Sequence, residues 1–118
     1  MTRKEALAEL ISEVEAGMWP GTNILHKIDD NYGFNAWRAF EGSLDAAKAL
    51  HEAVLPGWTL NSLHELRHPD NGMPPTGQWA CLLFRYSPAV EHVQTKSETP
   101  ARAWLLSILR ALHNMEKD

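Results

Sequence analysis

Residues 42–58, GSLDAAKALHEAVLPGW, write out one helix with its start, its buried stripe, its stop and the element that follows. Ser43 is placed to cap the open amides of the first turn, and Asp45 puts a negative charge at the positive end of the helix dipole. Leu44, Ala47, Leu50 or His51, and Val54 recur at helical spacing, with Asp45, Lys48 and Glu52 between them, so one face is apolar and the other wet. Pro56 and Gly57 stop the helix just past Leu55. Trp58 therefore begins a new, extended element.

Reading outward toward the N-terminus, Thr2 and Glu5 form a Thr-x-x-Glu capping box, and Leu7, Leu10, Ile11 and Val14 lay a stripe along a first helix that ends near Gly17. Trp19, Pro20 and Gly21 predict a turn. Thr22 or Asn23 can cap a short second helix with Ile24, Leu25 and Ile28 inward, ended by Asn31 to Gly33. Phe34, Trp37 and Phe40 then recur at a spacing of three, which predicts a helical turn with its aromatics packed on the core.

Toward the C-terminus, Trp58, Leu60, Ser62 and His64 alternate with Thr59, Asn61, Leu63 and Glu65, the pattern of a half-buried strand. Residues 69–77, PDNGMPPTG, are a turn-rich loop. Trp79, Cys81 and Leu83 face one way and Ala80, Leu82, Phe84 and Tyr86 the other. Both faces are apolar, which predicts a central strand covered on both sides. Trp58 and Trp79, each at a strand start, are expected to stack across strands. Ser87 and Pro88 turn the chain into residues 91–96, EHVQTK, a polar edge strand. Thr99 caps a last helix with Pro100 at its first position, striped by Ala101, Trp104, Leu105, Ile108, Ala111 and Leu112, and the tail EKD frays. Helices, a small and mainly antiparallel sheet of three or so strands, and one closing helix make a three-layer α/β/α sandwich.

These same residues carry a resemblance. SLDAAKALHEAVLPGW, followed by SETPARAWLLSILRAL at 97–112, resembles the phage ABA (α/β/α) sandwich domain, a family of small bacteriophage and prophage proteins of uncharacterised role. Its Ser-Leu-Asp-Ala-Ala helix runs into Leu-Pro-Gly-Trp, and a Thr-Pro-Ala turn opens its closing helix. With the EAG-like end of the first helix at Glu15 to Gly17, the likeness covers most of the chain; residues 18–40 depart from the pattern. The resemblance implies a phage or prophage accessory protein, and it brings no accepted activity and no catalytic residues.

At 118 residues the chain is one domain, residues 1–118, large enough to bury a core. Eleven basic and fifteen acidic residues give a net charge of -4, which offers no electrostatic footprint for wrapping a nucleic acid. A local basic patch would need Arg67, Arg85, Lys96 and Arg102 to meet in space. With one cysteine, Cys81, no intramolecular disulfide can form, and a reducing host cytoplasm is the expected compartment. The N-terminus reads as a capped amphipathic helix rather than a signal peptide. No apolar run approaches the ~20 residues that span a bilayer, so no membrane partner is expected.

The one motif with chemistry in it is His64-Glu65-Leu66-Arg67-His68, a literal H-E-x-x-H. On a helix, residues four apart lie on one face about 6 Å apart, so His64 and His68 could share a zinc while Glu65 activates its water. In a strand the same positions are about 13 Å apart and cannot. Ser62 and Glu65 could cap such a helix, but Pro69 cuts it at His68, and the glycine and third histidine of the extended zinc-protease pattern are not at their spacing. Cys81 sits in the most apolar strand, where a thiol is a small core residue, with no base placed to activate it. Asp29, Asp30 and Asn31 lack the alternation of a calcium loop.

The sequence thus predicts a non-catalytic binding module without a cofactor, for a host or phage protein or a small molecule; counter-defence is one form this takes. Trp19 and Trp37, with Arg67 and Arg85, are the candidate binding residues, since exposed tryptophan anchors interfaces. The edge strand or an aromatic patch offers a homodimer contact. A zinc hydrolase built on His64, Glu65 and His68, and a nucleic-acid binder, are the alternatives.

Overall fold

Capping side chains begin three of the four helices found among the described residues. The structure is a computed structural model that describes residues 2–19, 33–66 and 77–116. Helix α1 spans Arg3–Glu15; Thr2 Oγ1 accepts the Glu5 amide at 3.1 Å and donates to the Glu5 carboxylate at the same distance. Helix α2 spans Gly33–Phe40, α3 Leu44–Val54 and α4 Pro100–Met115. Ser43 and Thr99 take the amides of Ala46 and Arg102, each at 3.1 Å. Such caps contribute about 1 kcal/mol each.

Ser43 also closes the helix before it. Its amide donates to Arg38 O at 2.9 Å and the Gly42 amide to Ala39 O at 3.0 Å, the paired bonds of a Schellman end. That end needs a left-handed residue, and Gly42 supplies it at φ 114°. One residue thus ends α2 and starts α3, fixing the corner between them.

Strands β1 (Thr59–Glu65), β2 (Trp79–Arg85) and β3 (Glu91–Ser97) form an antiparallel sheet in the order β1-β2-β3. The polar β3 is an edge and the apolar β2 is central. Strand β1 breaks strict alternation. Leu60 pairs with Leu83 and Ser62 with Leu82, so Asn61 is an extra residue and the register shifts there. A bulge of this kind lets Leu60 and Leu63, an odd number of positions apart, both pair with the inward residues Leu83 and Cys81. The inner face is fully buried at Cys81 and Leu83, while Leu82 and Phe84 on the outer face are half-buried.

Helix α4 joins the layers. Ten of its sixteen residues are buried, more than one packed stripe needs. One flank lies along the sheet, and α1, α2 and α3 pack on the rest. The expected mixed α/β sandwich with its antiparallel sheet and closing helix is therefore the architecture present. Leu105, Leu106 and Ile108 are buried at the centre, each such side chain contributing about 1.5–3 kcal/mol. The predicted stripes of α1 and α4 are all buried.

A polar knot sits between β3 and α4. Thr95 Oγ1 lies 2.7 Å from Ala103 O and 2.6 Å from Ser107 Oγ, which is 3.2 Å from Cys81 O. Two hydroxyl protons serve three contacts, and the two short ones claim them. Both residues are buried, and both are satisfied.

Some expectations are corrected. Leu44, at the open end of α3, is 44% exposed, and the buried face of that helix is Ala46, Ala47, Leu50 and His51. Trp58 and Trp79 do not stack: Trp79 pairs with Glu65 while Thr59 pairs with Phe84, so the two indoles lie at opposite ends of the ladder. Consecutive antiparallel strands start at opposite ends. The expected second helix with Ile24, Leu25 and Ile28, the Asp29-Asp30-Asn31 cluster, most of the loop at 69–77, Arg67, His68 and the last two residues lie outside the described residues.

Candidate functional site

Helix α2 shows how aromatic spacing can mislead. Its core-facing residues are Ala36, Ala39 and Phe40, which leaves Phe34 65% exposed and Trp37 42% exposed. The period of three therefore crosses the helix face rather than following the core, and only Phe40 packs inward as expected. Phe34 and Trp37 lie ring to ring at 6.2 Å, with the Arg38 guanidinium 5.8 Å from the Phe34 centroid. The helix beneath them is held firmly. Arg102 of α4 lies 4.0 Å over the Phe40 ring and donates through Nη2 to Phe40 O at 3.2 Å. Trp19 packs on Phe40 from another direction, with centroids 5.2 Å apart.

The structure separates the four candidate binding residues. Trp37 is on the open face of α2; Trp19 is partly buried against the core. Arg85, at the end of β2, donates from Nε and Nη2 to Glu91 Oε2 at 3.0 and 2.7 Å and lies 5.0 Å over the Trp58 ring. Its side chain is largely covered and ion-paired. Arg67 lies outside the described residues. Of the expected basic patch, Arg85 and Lys96 do not meet, since Arg85 pairs with Glu91 and Lys96 with Ala80, toward opposite ends of the sheet, while Lys96 and Arg102 line one groove. Arg102 and Arg110 are matched to Glu98 and Glu15.

His64 and Glu65 are in strand β1, not on a helix. They pair with Ala80 and Trp79 in turn, so their side chains leave opposite faces of the sheet. The helical geometry that lets an H-E-x-x-H motif present its first histidine and its glutamate together is absent here. His68 lies outside the described residues, and among those described no group of three histidine, cysteine or acidic side chains could hold a metal ion.

The histidine that matters to the fold is His51. Its Nδ1 accepts the Trp104 indole N–H at 3.0 Å, and its Nε2 lies 2.8 Å from Trp58 O. An indole N–H only donates, so Nδ1 carries no proton and Nε2–H donates to the carbonyl. The imidazole is thus a neutral bridge from α4 through α3 to Trp58, the residue just before β1, and its ring meets Trp104 edge-on at 5.8 Å. Beside it opens a cleft of about 350 Å³ lined by Lys48, His51, Glu52, Trp58, Leu60 and Trp104, with Thr59. A larger polar groove of about 580 Å³ runs between the end of α1, β3 and α4. Sequence reading placed His51 on the α3 stripe only as an alternative to Leu50; its partners stand up to 53 residues away, and no local spacing announces them.

Cys81 is a core thiol. Burial pushes its pKa up to about 11, with a Ser107 hydrogen bond pulling the other way. A nucleophile needs the opposite shift. Among the described residues no helix is long and apolar enough to cross a membrane. No protein-family model, curated protein or solved structure matches this chain.

Proposed function

We propose that the protein is a phage or prophage accessory protein of binding rather than catalytic type, working in the host cytoplasm and holding a host or phage protein through the open face of α2. The observation that carries this reading is the exposed Phe34 and Trp37 pair on a helix anchored by Arg102 and Phe40. Large rigid aromatics on a fixed backbone bury area at small entropic cost, which is why they dominate interface energetics. Arg38 beside them adds a cation suited to the rim of such an interface. Among the described residues, His51 bridges two tryptophans, Arg85 and Arg102 are matched to carboxylates, and Cys81 is buried. The origin rests on the sequence likeness to the phage sandwich family.

The test is a Phe34→Ser, Trp37→Ser double variant compared with the native chain in the bacterial cytoplasm. A discrete protein that co-purifies with the native chain and is lost from the variant, with the thermal melt unchanged, is the expected result. Equal retention of every bound protein by a folded variant would overturn the α2 surface. A coding sequence lying outside any phage or prophage would overturn the origin.

A further inference from the structure

The sheet has two faces, and the described helices stand on one of them. Helix α4 lies along the inner face, where Ser107 meets Thr95 and Cys81 O, and α1, α2 and α3 pack on α4. The outer face is a grid set by the register. Its middle column is Ala80, Leu82 and Phe84 of β2, flanked by Thr59, Ser62 and His64 on β1 and by His92, Gln94 and Lys96 on β3. Tyr86 extends that column: its ring meets Phe84 edge-on at 4.9 Å, and it is 72% exposed. Leu82 and Phe84 are half-buried, and every flanking residue but Ser62 is exposed.

Charge is spread unevenly over the chain. Acidic residues outnumber basic ones by fifteen to eleven, yet no position of this grid holds a carboxylate, and Lys96 supplies a cation. The acidic residues of the strands, Glu65 and Glu91, pair with Trp79 and Arg85 on the inner face. Aromatic rings at the centre, bordered by neutral hydrogen-bonding side chains and a cation, suit an unpaired nucleic-acid strand, whose bases stack on the rings while its phosphates pass the cation. A duplex hides its base faces and is held by many phosphate contacts, which a net charge of -4 does not supply. His92 and Lys96 stand about 13 Å apart along β3, so a short strand stacked at the Phe84 end also runs past Lys96.

We propose that this outer face binds single-stranded RNA, with bases stacked on Tyr86 and on the open part of Phe84, the backbone led past Lys96, and ribose 2′-hydroxyls met by Gln94, Ser62 and Thr59. A 2′-hydroxyl both donates and accepts, which matches neutral amide and hydroxyl side chains. The face lies across the sheet from α2, so RNA binding here and protein capture there are separable.

The test is the fluorescence anisotropy of an end-labelled uridine oligonucleotide about eight nucleotides long, titrated at low salt with the native chain up to ~0.5 mM, beyond the range of weak non-specific binders. Binding should saturate, with log K falling by only about 0.7 for each tenfold rise in salt, the share of one lysine. Tyr86→Ala, at an exposed position, should keep the native melt and bind about tenfold more weakly, the loss expected of one stacked base. Lys96→Gln should flatten the salt dependence, and the Phe34→Ser, Trp37→Ser double variant should bind RNA as the native chain does. No rise in anisotropy, native affinity in Tyr86→Ala, or loss of binding in a folded α2 double variant would each overturn the proposal. Equal affinity for a thymidine DNA strand of the same length would overturn the assignment to RNA.

Discussion

The Trp104 indole donates to His51 Nδ1 across 3.0 Å and 53 positions of chain, and the same imidazole holds Trp58 O at 2.8 Å. One neutral ring thus satisfies two buried groups from two other elements. His51→Leu removes both bonds at nearly constant volume and leaves a donor and an acceptor stranded. Each stranded group costs about 1–3 kcal/mol, so the variant should lose about 3 kcal/mol in a denaturant melt. Trp104→Phe should lose part of that, and the double variant should cost less than the two singles together. Strict additivity would show that the two rings are neighbours without being coupled.

The Thr95 and Ser107 knot makes a similar point with a smaller expected effect. Thr95→Val keeps shape and lets Ser107 turn its proton to Cys81 O; Ser107→Ala leaves Thr95 on Ala103 O. Two hydroxyl bonds fall to one in either single variant and to none in the double, so each single change should cost about 1 kcal/mol and the pair about 2 kcal/mol. A loss from Thr95→Val as large as that of the double variant, measured in urea, would contradict the turn of Ser107 to Cys81 O.

Cys81 predicts a pH effect with a definite sign. Its folded pKa of about 11 stands above the ordinary value of 9.0 because burial penalises the thiolate. Below pH 9 both folded and unfolded chains hold the proton and nothing is lost. Between 9 and 11 the unfolded chain releases it while the folded chain does not, so stability falls by up to about 3 kcal/mol and then levels off. Cys81→Ala should remove that alkaline leg from a stability-versus-pH curve. The native thiol should also resist iodoacetamide at pH 8 until denaturant is added; rapid native-state alkylation would contradict its burial.

Much of this fold was legible because its signals are local. Thr2, Ser43 and Thr99 each cap the helix they precede, and the stripes of α1 and α4 pack as their spacing implies. Local signals fail where a feature depends on distant chain. The Asn61 bulge, which turns Leu60 and Leu63 to one side, answers to the fixed inner face of β2 and not to anything within residues 59–65. Phe34 and Trp37 read as core because aromatics usually are, yet Ala36 and Ala39 face inward, where small side chains let α2 come close to its neighbours. The candidate site suffered most. Trp37 was legible as a binding candidate by its type while its spacing with Phe34 and Phe40 pointed to the core, Arg85 was spent on Glu91 and Trp58, and the His51 cleft is assembled from three elements whose pairing no spacing encodes.

Arg102 links that buried scaffold to the open face of α2. Its guanidinium covers the Phe40 ring at 4.0 Å while Nη2 and Nε reach Phe40 O at 3.2 and 3.4 Å, tying the first turn of α4 to the last residue of α2. A lysine can keep the charge but not the planar stack and the forked donation together. Arg102→Lys should therefore loosen α2 by about 1 kcal/mol, seen as exchange of the α2 amides roughly fivefold faster than native, with α1 amides unchanged. Since Phe34 and Trp37 ride on that helix, the same substitution should weaken protein capture through their face without touching it. Protection of α2 equal to the native chain would mean that α3 and the Ser43 corner hold it alone.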